Sequence, residues 1–228
     1  MAPPKRAILS MFDKKSKILL VDDHPLVREW LASLINQQPD LSVCGEAESA
    51  QEALLYLANA TPDLAIVDLS LKDSSGLDLI KAMKTSHPSV AVIVLSMHDE
   101  RHYAERAIRA GARGYVMKRE TTKKIVAVIH QVLARKLGVS EDVAAQFAER
   151  FVDSRPRSRS AVEELSDREL EVFRLLGQGL DTRTVANRLQ ISIKTVQAYC
   201  ARIKEKLNLA NATELLREAI RWTESNAF

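Results

Sequence analysis

Residues 63–68, Asp63-Leu64-Ala65-Ile66-Val67-Asp68, form an apolar, partly β-branched run that opens behind Pro62 and ends on a carboxylate. Such a run, closed by the polar stretch Lys72 to Gly76, predicts a strand buried on both faces of a parallel sheet. It would deliver Asp68 at the strand's carboxyl end, where open α/β sheets hold their ligands. A second run, Lys17-Ile18-Leu19-Leu20-Val21, ends in Asp22-Asp23. Three carboxylates on neighbouring strand ends repel one another unless a cation sits among them, and hard oxygen ligands suit magnesium.

Outward from these two runs, strands and helices alternate. Pro25 opens a helix whose Leu26, Val27, Trp30, Leu31, Leu34 and Ile35 recur at helical spacing. Leu41 to Ala47 reads as a strand, and Ser49 with Glu52 as the capping box of the next helix. Leu77 to Met83 is helical, and Val90 to Leu95 is a buried strand ending in Ser96. Arg101 to Ala110 is a helix closed by Gly111, Gly114-Tyr115-Val116-Met117 a strand delivering Lys118, and Thr122 to Lys136 a long amphipathic helix. Strict alternation of this kind predicts a parallel sheet wrapped on both faces. Right-handed crossovers then favour a flavodoxin-like, doubly wound five-stranded sheet of order 2-1-3-4-5, with the Asp22 and Asp68 strands side by side.

The rest of the chain differs in character. Ser140 to Phe151 is a short capped helix, followed by Ser154-Arg-Pro-Arg-Ser-Arg-Ser160, a run that cannot bury a face and reads as a flexible tether. From Leu165 onward the period is helical, with Ser166 and Glu169 as a second capping box. Thr182 to Leu189, the turn Gln190-Ile191-Ser192 and a third helix from Lys194 to Leu207 read as helix-turn-helix, with Thr213 to Trp222 a fourth helix. The predicted divisions are an extension at 1–16, a first domain at 17–137, a linker at 138–161 and a small all-α domain at 162–228.

Of 228 residues, 46% are hydrophobic and 28% charged, ordinary for a chain that buries a core. The net charge of +3 is uneven: residues 155–228 hold 13 bases against 10 acids, residues 1–154 hold 20 of each. A basic second module hints at nucleic acid. No apolar run approaches the roughly 20 residues that cross a bilayer. The start is too charged for a signal peptide, so the expected location is the cytoplasm, away from any membrane. Cys44 and Cys200 lie far apart without metal-ligand spacing and are expected to be reduced thiols.

Leu-Val-Asp-Asp-His-Pro (20–25), Ala-Ile-Val-Asp-Leu-Ser-Leu (65–71), Val-Leu-Ser-Met (94–97) and Gly-Tyr-Val-Met-Lys (114–118) together resemble the receiver domain of two-component response regulators. The resemblance implies that Asp68 accepts a phosphoryl group from a sensor histidine kinase. It makes Asp23, Asp68 and the Ser70 backbone carbonyl the magnesium ligands, with Asp22 acting mostly through water. It pairs Lys118 with the Asp68 carboxylate, and makes Ser96 and an inward-turning Tyr115 the switch. Self-phosphorylation from phosphodonors and slow autodephosphorylation are the only implied chemistry. The histidines, His24 included, form no ligand spacing and are expected at surface or cap positions.

Leu-Ser-Asp-Arg-Glu-Leu-Glu-Val (165–172), Val-Ala-Asn-Arg-Leu (185–189), Ile-Ser-Ile-Lys-Thr-Val-Gln-Ala-Tyr (191–199) and Lys-Leu-Asn-Leu (206–209) resemble the LuxR-type DNA-binding domain, which makes the whole chain similar to the NarL/FixJ response regulators. By that resemblance Lys194, Thr195, Gln197, Ala198, Ala201 and Arg202 lie on or beside the groove-facing side of the recognition helix. Gln197 and Arg202 would read bases, while Lys194, Thr195, Lys204 and Lys206 would hold phosphates of double-stranded DNA. Tyr199 stands where the motif commonly has histidine. A homodimer on a pseudo-palindromic site is the implied active species. A protein-interaction adaptor, a phosphorylation-independent regulator and a small aspartyl phosphatase are the alternatives.

Overall fold

The computed structural model describes residues 15–71, 74–97, 100–152, 161–189 and 191–225. The chain divides into two compact units, 1–153 and 154–228. The expected extension lies outside the described residues except at its end, where Ser16 already belongs to the first strand. The Arg/Ser-rich tether at 154–160 lies outside them too.

In the first unit the central sheet has five parallel strands: β1 (Ser16–Val21), β2 (Leu41–Ala47), β3 (Leu64–Val67), β4 (Ala91–Ser96) and β5 (Gly114–Met117). Their order is β2-β1-β3-β4-β5, the doubly wound arrangement expected. Val21 pairs with Val67 and Val67 with Val94, so the ends of β1, β3 and β4 lie level. The helices between strands are α1 (Pro25–Asn36), α2 (Ala50–Asn59), α3 (Gly76–Ser86), α4 (Glu100–Ala110) and α5 (Thr122–Leu133). Every residue of β3 is buried, which is why the strand reads as an unbroken apolar run rather than an alternating one. Ile18, Leu20, Leu64, Ile66, Ile93 and Leu95 pack on Leu31 and Ile35 of α1 and on Ile125, Val128, Ile129 and Val132 of α5. Each such side chain contributes on the order of 1.5–3 kcal/mol when fully buried.

Three local readings change. Ser49 caps α2 as expected, but the Glu52 carboxylate accepts from the Glu48 N–H, so the reciprocal box is not closed. Helix α5 ends at Leu133, three residues early, because Arg135 takes a left-handed conformation (φ 62°) and Lys136 N–H returns to the Gln131 carbonyl. Residues 138–152, read as the first part of the linker, belong with the first unit. Gly138 donates to the Arg113 carbonyl and accepts from the Tyr115 N–H, lying along the outer edge of β5. A Cβ at Gly138 would come within 2.7 Å of Val128, so only glycine lets the chain pass so close to α5. Helix α6 (Glu141–Val152) follows, capped by the Ser140 hydroxyl and anchored by buried Val143.

The second unit is all-helical: a short 3-10 turn (Ala161–Glu164), then α7 (Asp167–Gly177), α8 (Thr182–Arg188), α9 (Ile193–Lys206) and α10 (Ala212–Ser225). Ser166 and Glu169 close the capping box of α7 from both sides. Asp181 caps α8 and Ser192 caps α9. Phe173 is fully buried and packs its ring 6.0 Å from that of Trp222. Among the described residues no helix is long and apolar enough to cross a membrane, and Cys44 and Cys200 are free thiols.

Candidate functional site

Three level strand ends bring the acids together. Asp22 follows β1, Asp68 follows β3, and the Asp68 N–H donates to the Val21 carbonyl, which locks the two ends to each other. Lys118 follows β5, with its N–H on the Ser96 carbonyl. Its ammonium lies 2.6 Å from Asp22 Oδ2 and 2.8 Å from Asp68 Oδ2, and both carboxylates are about 3% exposed. The lysine therefore bridges two acids, where sequence reasoning paired it with Asp68 alone.

The protonation balance follows from this burial. Desolvation pushes the Asp68 carboxyl above its ordinary value; Lys118 opposes the rise and Asp22 adds to it. Burial pulls the Lys118 ammonium down, yet Asp68 and Asp22 outweigh it and hold the group above the usual lysine range. The Asp68 carboxylate also accepts from the Ser70 N–H. Ser70 pairs with Ser75, and Leu71 with Ser74, in a short antiparallel ladder that follows the strand end. Gly76 donates its N–H to the Leu69 carbonyl, and a Cβ there would lie 2.0 Å from the Asp68 carbonyl oxygen. A side chain at 76 would displace the backbone that carries Asp68.

Asp23 supplies the third carboxylate. Its Oδ1 is buried without a hydrogen-bond donor. The His24 Nδ1 lies 2.7 Å away, near enough for an ion pair when the ring is protonated but without hydrogen-bond alignment. Asp22, Asp23, His24 and Asp68 each offer one ligand atom within 4.8 Å of the others. His24 is at the cap position of α1, as expected of it, but its imidazole also stands over the acids, a role that its spacing in sequence did not signal. Three hard carboxylate oxygens, one of them unsatisfied, fit a small divalent cation.

Ser96 is fully buried at the end of β4 and hydrogen-bonded to the Tyr115 hydroxyl. Tyr115 is 1% exposed, so its ring lies inside the unit. Burial pushes its hydroxyl well above the ordinary tyrosine value; the Ser96 bond works against this, and Tyr103, Asp68 and Glu100 reinforce it. Glu100, at the start of α4 and absent from the sequence reading, is buried and accepts from the Ser140 N–H at 2.8 Å. The surroundings of Tyr115 thus connect the acidic corner to the segment that leads into α6.

In the second unit, Val196 and Ile203 face inward from α9, while Lys194, Gln197, Ala198, Ala201 and Arg202 are exposed along one side. Thr195 is half-buried, with its hydroxyl 2.8 Å from that of Ser192, and Lys204 is half-buried too. Lys206 departs from expectation. Its ammonium lies 2.7 Å from Glu169 and donates to the Glu164 carbonyl, tying the end of α9 to the start of α7. A lysine held by a buried carboxylate is a fastener of the fold before it is a phosphate ligand. Gln190, part of the expected turn, lies outside the described residues.

Residues 18–130 match the family model of the response regulator receiver domain, and residues 163–219 that of bacterial regulatory proteins of the luxR family. The transcriptional regulatory protein UhpA of Escherichia coli K12 is 34% identical over 200 residues, covering 88% of this chain and 95% of that protein. The nitrate/nitrite response regulator protein NarL of the same organism is 28% identical over 197 residues, covering 86% and 91%. Among solved structures, RcsB from Salmonella enterica serovar Typhimurium, bound to promoter rprA in the presence of the phosphomimetic BeF3−, matches with a TM-score of 0.57 at 25% identity. That match covers 90% of this chain and 98% of RcsB.

Proposed function

Because the chain belongs to the response regulators that join a receiver domain to a LuxR-type DNA-binding domain, we propose that it is a cytoplasmic transcription regulator gated by phosphorylation of Asp68. The observation that carries this reading is the Asp68 carboxylate itself, a buried nucleophile held between Lys118 and an acidic pair in a chain that also carries an exposed recognition helix. An Asp68 oxygen would form a bond to phosphorus as the phosphorus–nitrogen bond of a sensor kinase phosphohistidine breaks and the imidazole leaves. Lys118 would then follow the new charge to a phosphoryl oxygen, and Ser96 would donate its hydroxyl to another. Asp23, Asp68 and the Ser70 carbonyl would hold magnesium, with Asp22 acting through water. The ion would offset the negative charge gathered between carboxylate and phosphoryl group.

Once Ser96 turns to the phosphoryl group, its hydrogen bond to Tyr115 would be exchanged for one to phosphate, a local electrostatic event biasing a two-state element. In this scheme the receiver spans about 17–137 and the DNA-binding domain 162–228, joined by a linker at 138–161 whose first part, 138–152 with its short helix, belongs with the first unit. Two chains would pair, and two α9 helices would enter adjacent major grooves of a pseudo-palindromic duplex, with α10 supplying the surface between the DNA-bound modules. Gln197 and Arg202 read bases while Lys194, Thr195 and Lys204 hold phosphates.

The test is selection from a random duplex pool, with and without magnesium and a small phosphodonor, with Asp68→Asn as the control. Enrichment of a two-fold sequence only by the phosphorylated wild type is the expected result. Equal enrichment by all samples would discard phosphorylation as the gate, and no enrichment would discard DNA as the partner.

A further inference from the structure

The guanidinium of Arg202 lies 4.8 Å from the centroid of the Tyr199 ring, three residues earlier on α9. Its Nε also donates to the Ala198 carbonyl one turn back, at 3.5 Å. Arg202 is exposed, whereas Tyr199 is half-buried. An exposed arginine ordinarily samples many rotamers. Here the ring and the carbonyl select those in which the side chain folds back along the helix, so less freedom is lost when it meets an acceptor.

Two further features favour an outside acceptor. Among the described residues no carboxylate pairs with Arg202, in contrast to Lys206, whose charge is already met by Glu169. Towards the start of α9 its exposed neighbours are Ala198 and Ala201, which end at Cβ and leave that side of the planar fork uncovered, while the exposed Glu205 stands one turn further on. Parallel N–H donors in that plane match the O6 and N7 atoms of a guanine edge in the major groove.

We propose that Tyr199 is a positioning residue for DNA readout: by holding the Arg202 guanidinium against its ring, it sets a guanine preference at one base pair of the target site. The assignment rests on the DNA-binding function proposed above. The ring face is what matters, so the phenol hydroxyl is dispensable and an aliphatic side chain of similar bulk is not a substitute.

The experiment uses the full chain with magnesium and a small phosphodonor. A site is first selected from random duplexes by the wild type. Affinity for that site and for each of its single-base variants is then measured for wild type, Tyr199→Phe, Tyr199→Leu, Arg202→Ala and the Tyr199→Leu/Arg202→Ala double variant. Arg202→Ala should erase the preference at one guanine. Tyr199→Leu should lower it at the same base pair by about two- to fivefold, the effect of an exposed cation–π contact. Tyr199→Phe should retain it, and Tyr199→Leu should change nothing further once Arg202 is gone.

A loss spread evenly over all base pairs in Tyr199→Leu would make the ring a packing residue and overturn the assignment. An equal loss with and without Arg202 would overturn it as well. Should the wild type enrich no sequence, the DNA-binding reading itself falls, and this assignment with it.

Discussion

Replacing Lys118 by methionine removes one charge and little volume from a corner where two carboxylates are almost wholly buried. Ligand oxygens of Asp22 and Asp68 lie within 4.8 Å of each other. At an effective dielectric constant of about 20, two negative charges at that separation repel by about 3 kcal/mol. Removing one partner of a buried ion pair independently costs about 3–5 kcal/mol. Both estimates agree, and they amount to a large share of the roughly 5–15 kcal/mol that holds a domain folded. With a urea slope of about 2 kcal/mol per molar, the midpoint of receiver unfolding should fall by about 2 M.

Each unit carries one tryptophan, so Trp30 fluorescence in a Trp222→Phe background reports the first unit alone. The melt is run at pH 7 and moderate salt with a chelator present. The sign of the pH dependence is fixed by the two groups. Lys118 is held above its ordinary value of 10.5, so its stabilisation is complete at pH 7 and is lost only as pH rises through the raised folded value. Asp68 is raised above its ordinary 3.8, so its ionisation costs stability above the folded value and nothing below 3.8. The penalty of Lys118→Met should therefore shrink as pH falls towards 4. It should also shrink in the Asp68→Asn background, where one of the two charges is gone. A loss below about 1 kcal/mol, or one unchanged by Asp68→Asn, would refute the electrostatic account.

Asp68→Asn alone should abolish the acyl phosphate formed with a small phosphodonor while raising receiver stability at neutral pH, since a buried ionised carboxyl is replaced by a neutral amide; phosphate labelling and a urea melt read the two effects. Glu169→Gln should weaken the second unit by about 1–3 kcal/mol through its charged bonds to Lys206 and Ser166. Hydrogen bonds from Lys206 and Ser166 hold the Glu169 carboxyl below its ordinary 4.5 despite burial, so this stabilisation is present above 4.5 and lost as pH falls through the depressed folded value. The Trp222 signal across a pH series checks it. Lys204→Ala should weaken DNA binding evenly across sequences and reduce the salt slope by about 1, whereas a base-selective loss would move Lys204 to the reading class.

The sheet and its acidic corner were legible in the residues because a strand buried on both faces has no polar positions to interrupt it. Leu64 to Val67 could be little else, and the acids at their ends followed from strand polarity. What escaped notice were charges whose partners lie far along the chain. Lys206 sits on the exposed period of α9, and nothing in that period shows that Glu169, 37 residues earlier, is close enough to take its charge. Glu100 and Ser140 are separated by 40 residues, and His24 sits beside the acids in a way that only the fold determines. Helical and strand periods identify which face a residue occupies. They do not identify what waits opposite.

The strand-like passage at Gly138 has a practical consequence for anyone cutting the protein into pieces. β5 is the last strand of the sheet, and Gly138 occupies its outer hydrogen-bonding groups at Arg113 and Tyr115. A fragment ending at 137 would expose that donor and acceptor beside buried apolar residues, a ready template for a second molecule to add a strand. Such a fragment should self-associate with rising concentration, whereas one ending at 152 retains its own edge cover. Where the sheet stops being sticky is decided by a glycine that the sequence alone would assign to a linker.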